Sequence, residues 1–123
     1  MMDGAPRDWF FLMESQVALP SSTPVFVDGI VWIMGPTELD SAPFDLEVGY
    51  DQSMWGAMSG VALPRHGSRP NPVPRHWPKD RPLPGAVNVT FFDGHAQAVK
   101  LDGLWQLYWH KDYKPPAKRP GLP

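Results

Sequence analysis

Apolar and polar residues alternate most regularly over 87–101, and they do so in two runs that meet at Asp93-Gly94. Asp-Gly between alternating runs predicts a β-hairpin, because a tight turn needs positive φ and glycine supplies it without strain. With Asp93 and Gly94 as a two-residue turn, Phe92 faces His95 and Phe91 faces Ala96. The period of two then puts Val87, Val89, Phe91, Ala96 and Ala98 on a core face. Asn88, Thr90, Phe92, His95 and Gln97 fall on the other face, which carries any chemistry. Upstream, 23–33 reads as a buried strand of β-branched and aromatic residues, broken or bulged at Asp28-Gly29. Asp28 is an acid inside an apolar run. It belongs to a turn, or it is a carboxylate held at a strand end for a ligand or metal.

Weaker patterns fill the rest. Trp9, Leu12, Met13 and Gln16 share one face at helical spacing, which predicts a short helix over 7–18 ended by Pro20. Residues 35–57 read as a solvated acidic loop. Residues 59–63 form a strand candidate stopped by Pro64. Leu104 with Tyr108 and Trp105 with Trp109 give two ridges at spacing four, predicting a short helix over 103–110 capped by Asp102. The expected fold is therefore α+β and β-rich. It has a small antiparallel sheet of four to five short strands with one or two short helices.

Composition sharpens this. The chain has 123 residues, the length of one domain spanning 1–123. Sixteen prolines and eleven glycines are too many for long helices. Seven prolines lie in 64–85, a loop that contains Arg65-His66, Arg75-His76 and Trp77. Proline fixes φ and removes a donor, so this loop holds neither helix nor central strand, and it is expected to add little to the core. Residues 111–123 form an extended basic tail. Cysteine is absent, which excludes disulfides and thiolate metal sites. Residues 1–60 carry nine acidic groups and one basic; residues 61–123 carry ten basic and four acidic. The basic residues sit among prolines with no recognition helix, so nucleic acid is not the expected partner, and the two halves are expected to pack together. No apolar run is long enough to span a membrane, and the N-terminus has no signal-peptide pattern. Read as a complete protein, the chain is cytoplasmic.

Common catalytic motifs for acyl transfer, phosphate binding and zinc proteolysis are missing. A metal-dependent enzyme or ligand-binding domain could be built only if the fold gathers Asp28, His66, Asp93 and His95.

The stretch Asn88-Val89-Thr90-Phe91-Phe92-Asp93-Gly94-His95-Ala96 resembles the C-terminal signature of prepilin-like proteins whose domain is named for a His, nine residues, then Asp-Gly. Arg65-His66-Gly67 and 85–89 resemble its two halves, 20–28 the segment before them, and 104–110 its ending. The resemblance covers roughly 18–112. Here 26 residues rather than nine separate His66 from Asp93, and 16 separate His76 from it. Residues 64–85 thus look like an insertion, or His76 is the motif histidine instead of His66. The family's cleavage site and long apolar helix are not in this sequence.

The resemblance implies a head domain related to type II secretion pseudopilins. It would have a structural, non-enzymatic role in a secretion or surface assembly, with protein partners and an envelope or extracellular location. Motif residues His66, Asn88, Asp93 and Gly94 would be structural. The expected structural link is a His66–Asp93 hydrogen bond that pins the loop to the hairpin. The competing reading of Asp28, His66, Asp93 and His95 is a hard-cation site, with calcium favoured because oxygen ligands dominate.

Overall fold

β2 (Ala86–Phe91) is the centre of a three-stranded antiparallel sheet, with β1 (Pro24–Val27) on one side and β3 (Ala96–Lys100) on the other. The structure is a computed structural model and describes residues 11, 13–29, 35–49 and 57–123. The alternation in β2 works as its pattern requires: Val87, Val89 and Phe91 are buried and Asn88 is exposed. β1 carries one extra residue, Val25, between the pairs Pro24–Phe91 and Phe26–Thr90. The bulge therefore lies at Val25, not at Asp28-Gly29. The expected continuation of this strand over 30–33 lies outside the described residues.

The hairpin register differs from the expected one by a single residue. Val87 pairs with Val99 and Thr90 with Ala96, so Phe91 faces His95 and the loop has three residues, Phe92, Asp93 and Gly94. The amide of Gly94 bonds the carbonyl of Phe91 at 2.9 Å, and Gly94 has φ +93°. A turn followed by a left-handed glycine is the usual three-residue hairpin. Asp-Gly signals positive φ in both loop lengths and does not choose between them. The slip inverts β3: Val99 is buried, whereas Ala96 and Ala98, expected in the core, are exposed. No side chain crowds Gly94, so the cost of Gly94→Val is backbone strain alone. It should be about 1–2 kcal/mol in a denaturant melt, with Gly94→Asn costing less.

The α+β expectation is overturned. Among the described residues the sheet has three strands rather than four or five, and every helical segment is a short 3-10 turn. Residues 101–110 show why. Leu101 and Leu104 are both fully buried, and their spacing of three is the 3-10 period, so Leu101–Gln106 winds tightly. Gly103 weakens any α-helix there. Asp102 does not cap it; its carboxylate accepts the amide of Leu83 and pairs with Arg119. The strand expected at 59–63 is a 3-10 turn, Met58–Gly60, followed by Val61, Ala62 and Leu63, all buried. These residues have no exposed side, so nothing favours a period of two. Of the helix expected at 7–18, residues 7–10 and 12 lie outside the described residues; the rest contains one 3-10 turn, Glu14–Gln16. The acidic segment 35–49 has neither helix nor strand, and 50–56 lie outside the described residues.

The core joins Val87, Val89, Phe91 and Val99 of the sheet to Leu46, Met58, Val61, Leu101, Leu104 and Trp105. It also takes Leu83 from the proline-rich loop, with Val73 and Trp77 packed against it. That corrects the expectation of a loop detached from the core. Prolines bar regular hydrogen bonding but not burial. The tail is docked as well: Tyr113 and Arg119 are buried. Its seat is Asp102, Trp105 and the carbonyls of Lys79 and Arg81, all within residues 61–123. No helix among the described residues is long and apolar enough to cross a membrane.

Candidate functional site

The residues that carry the sequence motif meet at two places on β2. At its N-terminal end, His66 pairs with Ala86 through both backbone bonds, each 2.9 Å. This places Arg65-His66-Gly67 beside Gly85-Ala86 and closes the proline-rich loop at its neck. The approach is close: a Cβ on Gly85, which has φ +84°, would sit 2.8 Å from Cβ of Pro64 and 3.1 Å from the carbonyl of His66. Glycine is required there for both reasons.

Asp28 stands at the end of β1, opposite Asn88. Its amide bonds the carbonyl of Asn88 at 3.3 Å, and its Oδ2 accepts the amide of Asn88 at 3.3 Å. The same oxygen lies 3.0 Å from Nε2 of His66. A carboxylate only accepts, so Nε2–H of His66 donates. Asp28 thus ties together β1, β2 and the neck of the loop. This accounts for an acid in an apolar run. It is Asp28, and not Asp93, that His66 engages.

At the other end, the hairpin loop builds a second pair. Oδ1 of Asp93 accepts the amide of His95 at 3.1 Å and contacts its Nδ1 at 2.5 Å. Nε2 of His95 lies 3.1 Å from Oε1 of Gln97. The imidazole stacks on Phe91, with centroids 4.4 Å apart and planes 7° from parallel. The backbone bond from His95, followed by its ring, holds the Asp93 carboxyl below its ordinary value. The bonds to Asp93 and then Gln97 hold the imidazole above its own. Both shifts favour the ion pair, and the signs set its window. The Asp93 contribution is present above the ordinary carboxyl value of 3.8 and is lost as pH falls through the lowered one. The His95 contribution is complete below the ordinary imidazole value of 6.5 and is lost as pH rises through the raised one. The gap between thermal melts of the parent protein and His95→Ala should therefore be widest between roughly pH 4 and 6.5, and narrow on both sides to what the lost stack on Phe91 leaves. Both groups are solvated, so the difference is small.

The two pairs are about three residues apart along β2, roughly 10 Å at 3.3 Å per residue. Asp28, His66, Asp93 and His95 therefore form two bonded couples, not one cluster. Among the described residues, no group of three or more His, Asp or Glu side chains is placed to hold a metal ion. Calcium takes six to eight oxygen ligands, and neither couple provides such a set. A cavity of about 170 Å³ lies between Leu46, Leu63, Val73 and the two arginines Arg65 and Arg69. A second, of about 260 Å³, lies between Met13, Val17 and Phe92. The four motif residues line neither.

A third polar centre was invisible in the sequence. Arg119 has a fully buried side chain. Its Nε pairs with Asp102, Nη1 donates to the carbonyls of Lys79 and Pro120, each at 3.0 Å, and Nη2 donates to that of Arg81 at 2.7 Å. The guanidinium also lies 5.9 Å from the ring centre of Trp105. An arginine in a proline-rich tail gives no sign of burial beforehand, since arginine is mostly exposed. His76 is exposed and touches Phe44 edge-on, away from the hairpin pairs. No protein-family model, no curated protein and no solved structure matches this chain.

Proposed function

We propose that the chain is a non-enzymatic, prepilin-like head domain with a structural role in a secretion or surface assembly, with protein partners and an envelope or extracellular location. The observation that carries this reading is how the motif residues are used. His66, Asp28 and the backbone of Asn88 bond one another and fasten three segments of chain. Asp93, Gly94 and His95 set the hairpin loop. The bonds these side chains make are to the fold itself: Oδ2 of Asp28 with Nε2 of His66, and Oδ1 of Asp93 with His95, each join segments of the chain to one another.

The test is made on the native protein and on the purified chain. Fractionated source cells should give the protein with envelope or surface assemblies. The purified chain, incubated with calcium, magnesium, manganese or zinc and generic ester and phosphoester substrates, should show no turnover that Asp28→Asn and His66→Ala both remove. Recovery as a soluble monomer, or metal-dependent turnover lost in both variants, would overturn the proposal.

A further inference from the structure

Among the described residues, most of the basic half is unpaired with acid. Of the ten Lys and Arg residues in 61–123, Arg75 holds Asp45 and Glu47 and Arg119 holds Asp102. Among the described residues, Lys79 and Arg81 have no carboxylate partner and Lys118 donates to the oxygen of Pro123 at 2.7 Å, yet the three are brought together. Arg119 binds the carbonyls of Lys79 and Arg81, which sets the turn at 79–81 against 118–121. All three side chains are exposed. Arg81 lies over the ring of Trp77 at 4.5 Å. Asp80 is the one acid in these two turns.

Segment 35–49 is the complement. It holds Glu38, Asp40, Asp45 and Glu47 and no cation. Asp40 is used internally by Thr37 and Met58, while Asp45 and Glu47 share the single Arg75. The same segment exposes Leu39 at 81%, Phe44 at 52% and Val48 at 48%. Three large apolar side chains within ten residues, flanked by undercompensated carboxylates, mark a surface suited to a partner.

We infer that segment 35–49 of one copy docks on the paired turns 77–81 and 118–121 of a second copy. Glu38 and Glu47 face Lys79, Arg81 and Lys118, and the exposed apolar residues cover Trp77 and its neighbouring prolines. Charge complementarity selects the occupant, because the acidic surplus and the basic surplus belong to the same sequence. This contact rests on the assembly reading above and gives it a specific interface. A standard interface takes about 800 Å² from each partner, near a tenth of the 7402 Å² surface of this chain. Exposed charges act over about 8 Å at physiological salt, so the contact is salt-sensitive.

The experiment mixes normal and heavy-nitrogen copies of the full chain and adds a carbodiimide, which joins lysine amines directly to carboxylates. Mixed-isotope products should link Lys79 or Lys118 to Glu38 or Glu47. They should fall severalfold at about 0.5 M salt, where the screening length is roughly 4 Å. The variants Lys79→Glu with Lys118→Glu, and Glu38→Lys with Glu47→Lys, should each give no such product alone. A mixture of the two should regain it, because each then meets an opposite charge. Circular dichroism checks that both fold; if either does not, the salt dependence in the parent protein decides. Links at other positions, links indifferent to salt, or full self-linking by either variant would overturn the inference. If the native protein is found in assemblies while these links are absent, the interface is wrong and the assembly reading stands. If the links form while the native protein is a soluble monomer, the reverse holds.

Discussion

Replacing Arg119 with Ala should cost about 3–5 kcal/mol of stability, the range for removing one partner of a buried ion pair. The side chain is fully buried and satisfies Asp102 and three carbonyls, those of Lys79, Arg81 and Pro120. Alanine leaves those acceptors facing a cavity. Part of the loss is the packing of the guanidinium near Trp105. Arg119→Lys keeps the charge but not the planar fork, so it should fall between the two. Urea melts give the magnitude, and limited proteolysis should show cleavage in 111–123 that the parent resists. A change below about 1 kcal/mol, within the range of an exposed pair, would mean that the tail is not anchored by this residue.

Replacing residues 68–84 with a short Gly-Ser linker should abolish cooperative unfolding. Halving a loop gains only about 0.6 kcal/mol of closure entropy. Against this, the exchange removes Leu83, a core residue, and Val73 and Trp77, which pack on the core. A buried leucine alone is worth about 2–5 kcal/mol when cut to alanine. The exchange also takes the Leu83 amide from Asp102 and two carbonyls from Arg119. Domains of this size have about 5–15 kcal/mol in all. Leu83→Ala is the milder version and should lower stability by about 2–5 kcal/mol with the fold intact. A linker variant that melts as sharply as its parent would return the loop to the status of a dispensable insertion.

These two cases show where the sequence was readable. β2 could be read because its alternation is local and one face is buried. The glycine requirement at Gly94 was equally local, and its φ of +93° agrees. The register of β3 was not, because two- and three-residue loops both accept Asp-Gly and differ only in geometry across the hairpin. Apolar residues at spacings of three and four, as in 101–109, fit an α-helix or a 3-10 turn. Burial of Leu101 and Leu104 decided for the latter. Asp28 announced itself as an acid among apolar residues, but its partner lies 38 positions away. The seat of Arg119 was unreadable because three of its acceptors are backbone carbonyls, which every residue has. The motif histidine and aspartates stand out in the sequence as a set. Sequence spacing could not tell that β2 would hold them apart in two couples.

The division of the four residues into two couples turns on which carboxylate His66 serves. Double-mutant cycles in urea, combining His66→Ala with Asp28→Asn and separately with Asp93→Asn, measure this directly. The Asp28 cycle should give a favourable coupling of a few tenths to about 1 kcal/mol, as expected for a half-exposed pair. The Asp93 cycle should be additive within error, and neither should change when a chelator or calcium is added. Coupling between His66 and Asp93, or a melting temperature that chelation lowers and calcium restores, would contradict the account and return the four residues to a single site.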